Sequence, residues 1–290
     1  MQIVSTCLAR DLPVYRFTYQ SLRRHIPRSE IHLITKKEDF PKFREACGPE
    51  LILWDESELV PQMSLGELRE MPLHFFPKGA GWYFQQFLKY AFVNVSNEDE
   101  YYLIWDADTV LLRPIEFFTP EGKPFYTTAT EHHIPYFETY QALFGTKAER
   151  DFSFISQHQV INKIILRDML SKIESRYPTK KGWAWAIMEN LRGDGSNLFS
   201  EYETYGHYMK STYPKTFEVR DLKWTRKGGE LAGNPPREKK LEIMGDKFSF
   251  AAFEASDSIG RKVYYKLKKI YAVMRAIYSR SQSKIQCFQK

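Results

Sequence analysis

Short apolar runs alternate with amphipathic stretches along the first hundred residues. "QIVSTCLA" (2–9) predicts a buried strand, followed by a polar turn at Arg10-Asp11-Leu12-Pro13 and a helix to about His25. "EIHLITKKED" (30–39) predicts a second strand, and "FPKFREAC" (40–47) a short helix stopped at Gly48-Pro49. "ELILWDESEL" (50–59) predicts a third strand that finishes in acids. After the Gly79-Ala80-Gly81 loop, "WYFQQFLKYAFVNV" (82–95) predicts a helix and "YYLIW" (101–105) a fourth strand. Strand and helix in turn, in units of about thirty residues, predict an α/β fold with a mainly parallel sheet flanked by helices.

The second half is less regular. "KPFYTTAT" (123–130) predicts a strand, and "QVINKIILRDMLSKIESRY" (159–177) a helix with apolar positions at Ile161, Ile164, Ile165, Met169 and Ile173. "GWAWAIMENLR" (182–192) predicts another helix. "FSEYETYGHYM" (199–209), after the glycine-rich turn "GDGSN", concentrates acids and aromatics and reads as a strand or loop. A boundary falls near residue 120, but no flexible linker marks it, and one compact domain is expected.

The chemistry concentrates where the fourth strand stops. The run Tyr101–Trp105 breaks at Asp106-Ala107-Asp108 and turns apolar again at Val110, Leu111 and Leu112 before Arg113-Pro114. Two carboxylates one residue apart at the tip of a buried strand are costly unless their charge is compensated. In parallel sheets, ligands bind beyond the carboxyl ends of the strands. Strand-end acids capping a turn are the plain alternative. Two chemical readings explain more. Hard oxygen ligands suit Mg²⁺ or Mn²⁺ bridging to a diphosphate. "LIWDADTV" also resembles the Asp-x-Asp-x-Thr pattern of haloacid-dehalogenase-type phosphatases, with Asp106 as nucleophile and Thr109 in place. There the aspartate strand opens the domain, whereas about a hundred residues of strand and helix come first here. The later acid pair is also incomplete, because no second acid follows Asp246 until Glu254.

"WDADTVLLRP", after a nucleotide-binding-like α/β half, resembles the Asp-x-Asp signature of GT-A fold, nucleotide-sugar-dependent glycosyltransferases. "GWYFQQFLKY" before it and "FSEYETYGHYM" after it resemble segments of bacterial polysaccharide glycosyltransferases of this superfamily, so the resemblance covers about residues 1–255. It implies one GT-A domain over 1–258, with a nucleotide-binding half (1–120) and an acceptor half (121–258). The implied activity is metal-dependent transfer of a sugar from a UDP-sugar to a glycan or lipid-linked glycan in surface polysaccharide synthesis. Mn²⁺ or Mg²⁺ would be held by Asp106 and Asp108, with Asp108 bearing most of the contact and Asp106 also reaching ribose or sugar. A cation there meets the charge that develops on a departing diphosphate.

The same resemblance suggests supporting residues, each with a plainer structural alternative. Lys89 lies four residues after Gln85, on one helix face; the lysine would reach a phosphate and Gln85 nucleotide or sugar hydroxyls, or Lys89 is a solvated helix charge. Thr6, ending the first strand, would meet the nucleoside, or is a strand-end hydroxyl; Asp55, ending the third, would meet base or ribose. Glu201 and Glu203 are the acceptor-side candidates. On a strand, residues i and i+2 share a face, so both could point into one site, where a carboxylate takes the proton of a sugar hydroxyl. His158 would contact acceptor or phosphate, although a lone histidine is more often structural. Asp194 sits in a turn where turn chemistry suffices. Many GT-A enzymes complete the metal site with a late histidine; the last one here is His207, and Glu254 and Asp257 follow it.

Composition changes the picture at one end. With 290 residues, 43% hydrophobic and 16% aromatic, the chain can bury a large core. Its net charge of +6 is uneven: no acid follows Asp257, while nine Lys or Arg do, so the rest of the chain is slightly acidic. Val263, Tyr264, Leu267, Ile270, Tyr271, Met274, Ile277 and Tyr278 trace one helical stripe. A basic amphipathic helix over 259–290 is expected, suited to an anionic membrane surface; its packing on the core is the alternative. Nucleic acid is disfavoured, because the body adds no basic surface. No apolar run reaches the roughly 18 residues of a membrane span, and "MQIVSTCLAR" lacks the basic segment of a secretory signal. Three scattered cysteines suit a reducing compartment. The expected location is cytoplasmic, peripheral at the inner face of the cell membrane.

Overall fold

The structure, a computed structural model, describes residues 1–60, 62–71, 79–178, 181–194 and 197–254. The expected basic helix over 259–290 lies outside the described residues, as does Asp257.

The first half follows the predicted alternation. β1 (Gln2–Thr6), α1 (Leu12–His25), β2 (Glu30–Thr35), α2 (Phe40–Cys47) and β3 (Ile52–Asp55) are followed by the short helices α3 (Glu56–Leu59) and α4 (Leu65–Glu70). α5 (Ala80–Ala91) then leads to β4 (Tyr101–Trp105). Pro13 opens α1, and Arg23, Arg24 and His25 fill its last turn, where cations complement the helix dipole. β3 is shorter than predicted. The Asp55 carboxylate accepts from the Ser57 amide at 3.0 Å, which caps α3 and turns the acidic end of the segment into a helix.

β5 (Thr109–Leu111) and β6 (Phe125–Thr127) open the second half, followed by α6 (Ile134–Phe144), β7 (His158–Asn162), α7 (Lys163–Arg176), α8 (Gly182–Glu189) and α9 (Glu201–Thr212). β8 (Glu218–Arg220), α10 (Gly228–Ala232), α11 (Glu238–Gly245) and β9 (Phe250–Ala252) complete the described chain. Two expectations fail here. The front of the segment predicted as one helix from 159 is β7, and the Asn162 side chain caps α7 by accepting from the Ile164 and Ile165 amides at 3.0 and 3.1 Å. The segment read as a strand or loop at 199–209 is mostly α9, with Ser200 capping it through the Glu203 amide.

The main sheet runs β3-β2-β1-β4-β7; its first four strands are parallel, and β7 is antiparallel to β4. Consecutive residues of a strand face opposite sides. Ile3, Leu33, Leu103 and Val160 enter the core beneath α1 and α2. Val4, Ile34, Ile104 and Ile161 enter the larger core of α5, α7, α8 and α9. This double burial explains why the strands read as continuous apolar runs. β1 pairs with β2 on one side and β4 on the other, so the order of connection reverses between β1 and β4. The carboxyl ends of these two parallel strands, at Thr6 and Asp106, therefore lie at the reversal point, the place where ligands bind in such sheets.

Candidate functional site

The Asp106–Asp108 turn is held from several directions. The Ser5 hydroxyl donates to the Trp105 carbonyl at 2.7 Å, and Thr18 of α1 donates to the Ala107 carbonyl at 2.9 Å. The Thr109 amide closes the turn onto the Asp106 carbonyl at 3.0 Å, and the Phe253 amide donates to the Asp108 carbonyl at 2.7 Å. The aspartates therefore sit at the reversal point of the sheet on a backbone fixed by β1, α1 and the residue that follows β9.

Asp106 is already neutralised by the protein. Lys89 of α5 donates to Asp106 Oδ1 at 2.5 Å and to Glu201 Oε1 at 2.6 Å. The Tyr202 hydroxyl donates to the same Oδ1 at 2.7 Å, and its ring lies 4.9 Å from the Lys89 ammonium. Lys89 is 4% exposed. Burial alone would lower its pKa, but Asp106 and Glu201 outweigh that and raise it above the ordinary lysine value. Burial raises the Glu201 carboxyl against the pull of Lys89. The alternative of a solvated helix charge is therefore corrected: the Lys89 ammonium is paired with two carboxylates inside the protein.

Gln157 supplies a further support that sequence reading missed. It is a buried non-glycine residue with φ of 66°, in the left-handed region, and its carbonyl accepts from the Asp106 amide at 2.9 Å. Its side-chain amide is satisfied when the nitrogen donates to Asp106 Oδ2 at 3.3 Å and the oxygen accepts from Arg226 at 3.3 Å. Such backbone conformations collect at functional sites, where surrounding contacts hold them.

Asp108 has the opposite environment. Its pKa is pushed up to about 7, by burial first and then by the charges of Asp106 and Glu254, while Lys89 acts the other way. Glu254 is brought near because it follows Phe253, which is bonded to the Asp108 backbone. Arg226 sits beside it, 2.7 Å from Glu131 and 3.7 Å from Glu254.

The remaining candidates divide. Thr6 lies at the carboxyl end of β1, and its buried hydroxyl has no hydrogen-bond partner among the described residues. Asp55 is engaged as the α3 cap. Gln85 is half-buried; the hydrogen bonds between α5 and α9 run instead through Gln86, which accepts from the Glu201 amide at 3.0 Å, together with Lys89 and the Tyr90 hydroxyl, which donates to the Glu201 carbonyl at 2.5 Å. Glu201 and Glu203 do not share a face, because α9 turns them about 200° apart. Glu203 accepts from the Ser153 hydroxyl at 2.5 Å and the Phe154 amide at 3.2 Å, with His207 3.0 Å away. His158 is buried on β7, stacked on Trp105 with ring centroids 5.0 Å apart and enclosed by Phe117 and Phe250. Burial and Arg220 lower its pKa to about 3, so it is a neutral core histidine. Asp194 lines a cleft of about 350 Å³ with Ile134, Pro135, Glu138 and Gly193, beside the first turn of α6.

The residues fit a hard divalent cation. Among the described residues, the ion pairs shown here set Asp106 and Glu201 against Lys89, and Glu131 and Glu254 against Arg226, with Asp108 beside them. Burial first, and then Asp106 and Glu254, raise the Asp108 pKa. Among the described residues no three His, Cys, Asp or Glu side chains are grouped to hold a metal ion. A cation held here would rest on the two neighbouring aspartates, with its other positions open to substrate oxygens or water. His207, buried against Glu203, does not supply a late ligand.

Residues 3–226 match DUF6492, described as a family of unknown function. No curated protein matches the sequence. Among solved structures, the chain is similar to an active-site mutant of LgtC, with a TM-score of 0.50 and 9% identity over 93% of this chain and 95% of that one. It also resembles the galactosyltransferase LgtC in complex with donor and acceptor sugar analogues, with a TM-score of 0.49 and 9% identity over 92% and 95% of the two chains. Mouse xyloside xylosyltransferase 1 in its apo form gives 0.47 and 12% identity over 89% and 100%. At such identities the likeness concerns the fold: an α/β, mainly parallel sheet flanked by helices, as in GT-A glycosyltransferases.

Proposed function

The chain belongs to the DUF6492 family, and we propose that it is a glycosyltransferase that moves a sugar from a nucleotide-sugar donor, a UDP-sugar, with the help of Mn²⁺ or Mg²⁺ at Asp106 and Asp108. The observation that carries this reading is the Asp106-Ala107-Asp108 turn at the carboxyl end of β4, across the sheet's reversal point from the unpartnered Thr6 hydroxyl. A GT-A-like fold supports it. Bound there, a divalent cation would supply positive charge to the departing diphosphate.

The chain's own groups then have distinct tasks. Lys89, Tyr202 and Gln157 hold Asp106 in one orientation. Asp108 offers the carboxylate that the protein leaves least compensated. Thr6 offers a hydroxyl to the nucleoside. Glu201 acts through Lys89 as a positioning residue, and Glu203 anchors the 153–154 segment rather than serving as the base. The phosphatase alternative gains nothing from the fold, since the aspartate strand comes after three strand-helix units and Asp106 Oδ1 already carries two hydrogen bonds.

We further assign the acceptor to a glycan or lipid-linked glycan of bacterial surface polysaccharide synthesis, on the sequence resemblance. The apolar, tyrosine-containing stripe from Val263, with lysines and arginines mostly off it, supports docking at an anionic membrane on its cytoplasmic face. No helix among the described residues is long and apolar enough to cross a membrane. Calorimetric titration of UDP tests the core of the proposal. Binding should require Mn²⁺ or Mg²⁺ and collapse with chelator or with Asp108→Ala. Equal affinity under all three conditions would overturn the metal role, and turnover of a phosphate ester would favour the phosphatase.

A further inference from the structure

Two cations touch the acid cluster, and the structure gives them unequal freedom. Lys89 is buried and spent on Asp106 and Glu201. A diphosphate arriving at the aspartate turn therefore cannot draw on it without breaking a buried ion triad, a step that costs several kcal/mol. Arg226 is different. Its side chain is 38% exposed, and one of its two ion pairs, to Glu254, is long at 3.7 Å.

Its position is also built rather than incidental. Thr225 and Lys227 bridge to Ala251 and Phe253, and Phe253 bonds the Asp108 backbone, so Arg226 rides on a ladder whose neighbour is the aspartate turn. Gln157 joins Arg226 to Asp106 Oδ2 through one amide. Trp224 backs the guanidinium, with its ring centroid 5.8 Å away. A planar guanidinium can donate to two phosphate oxygens at once, as an ammonium cannot.

We propose that Arg226, positioned by Gln157, is the protein cation that binds the diphosphate of a nucleoside diphosphate at this site. The inference rests on the nucleotide-sugar reading and names the group that completes it. Glu254 and Glu131 hold the guanidinium in the ligand-free site. On binding, Arg226 exchanges the long Glu254 contact for phosphate oxygens and keeps the 2.7 Å Glu131 pair as its anchor.

The test compares UDP with uridine on the full chain at saturating Mn²⁺, alongside Mn²⁺ titration alone followed by electron paramagnetic resonance. Arg226→Gln should weaken UDP roughly ten- to hundredfold, the range for a hydrogen bond to a charged group. Uridine should be unaffected, and Mn²⁺ alone should bind as tightly or more tightly, because a competing cation has left. Arg226→Lys should recover part of the loss. Gln157→Gly, which accepts the left-handed backbone, should weaken UDP in the same direction by less. Unchanged UDP affinity in Arg226→Gln overturns the proposal, as does an equal loss for uridine, which would mark a structural role. If the wild-type chain binds none of UDP, GDP, CDP or ADP with Mn²⁺, the nucleotide-sugar reading itself falls, and the inference with it.

Discussion

Replacing Lys89 by Met keeps the length of the side chain and removes its charge. Lys89 is 4% exposed and donates to Asp106 and Glu201 at 2.5 and 2.6 Å. Opposite charges about 4 Å apart attract by about 4 kcal/mol at an effective dielectric of 20, and the cost of burying them cancels part of that gain. Removing one member of a buried ion group costs about 3–5 kcal/mol, because uncompensated charge remains. We expect that loss at pH 8 from urea denaturation followed by circular dichroism. In the wild type the folded pKa of Lys89 is raised, so its contribution is fully present below the ordinary value of 10.5 and is lost only as pH rises beyond it. The variant should behave differently. Glu201 then faces Asp106 without a cation, the burial that already raises its carboxyl acts without the opposing pull of Lys89, and the penalty should shrink as the pH is lowered from 8 to 5. Lys89→Met/Glu201→Gln should be more stable than Lys89→Met alone. A loss below about 1 kcal/mol with no pH dependence would refute the reasoning and return Lys89 to a ligand-facing role.

Asp108 makes the chelated protein less stable as pH rises from about 4 to about 7, since its folded pKa of about 7 lies above the ordinary 3.8; Asp108→Asn should flatten that slope, and so should Mn²⁺, in denaturation series across pH. His158 contributes the opposite trend: its folded pKa of about 3 lies below 6.5, so stability present above 6.5 is lost as pH falls, by roughly 2 kcal/mol at pH 5. His158→Phe should reduce this acid sensitivity while leaving UDP affinity unchanged; loss of UDP binding in a folded variant would restore a site role. Glu203→Ala should cost about 2–4 kcal/mol, because the Ser153 hydroxyl and Phe154 amide lose their acceptor, and thermal unfolding would reveal a smaller cost as a shift of only a degree or two.

The strands of the first half were legible because burial on both faces makes them short, uninterrupted apolar runs between helices. The same property hid β7: Val160 and Ile161 are apolar and run directly into the amphipathic α7, so their spacing merged with the helix. α9 was misread for another reason. Its start alternates acid and aromatic with the period of a strand, yet Ser200 and Glu203 carry the Ser-x-x-Glu signature of a helix N-terminus. That signature outranks three or four residues of alternation, because it satisfies amides that a helix start otherwise leaves orphaned. The Asp106–Asp108 pair was visible in the sequence. Its partners were not: Glu201 lies 112 residues from Lys89, and the left-handed backbone of Gln157 leaves no mark in residue type.

The two aspartates, equivalent on paper, are made unequal by what surrounds them. Asp106 receives a lysine, a tyrosine hydroxyl and an amide, so its charge is compensated whether or not a ligand is present. Asp108 is buried and receives acidic neighbours, which together push its pKa up to about 7. On the proposed reading, one settled and one unsettled carboxylate would let the fold stand by itself and still draw a cation. Had both been compensated internally, a metal would gain little by binding; had neither been, the empty site would carry the full cost of two buried charges. On the same reading the unequal exposure of the two cations has a use: buried Lys89 balances the protein's own carboxylates, and the more exposed Arg226 would meet charge that arrives with a ligand.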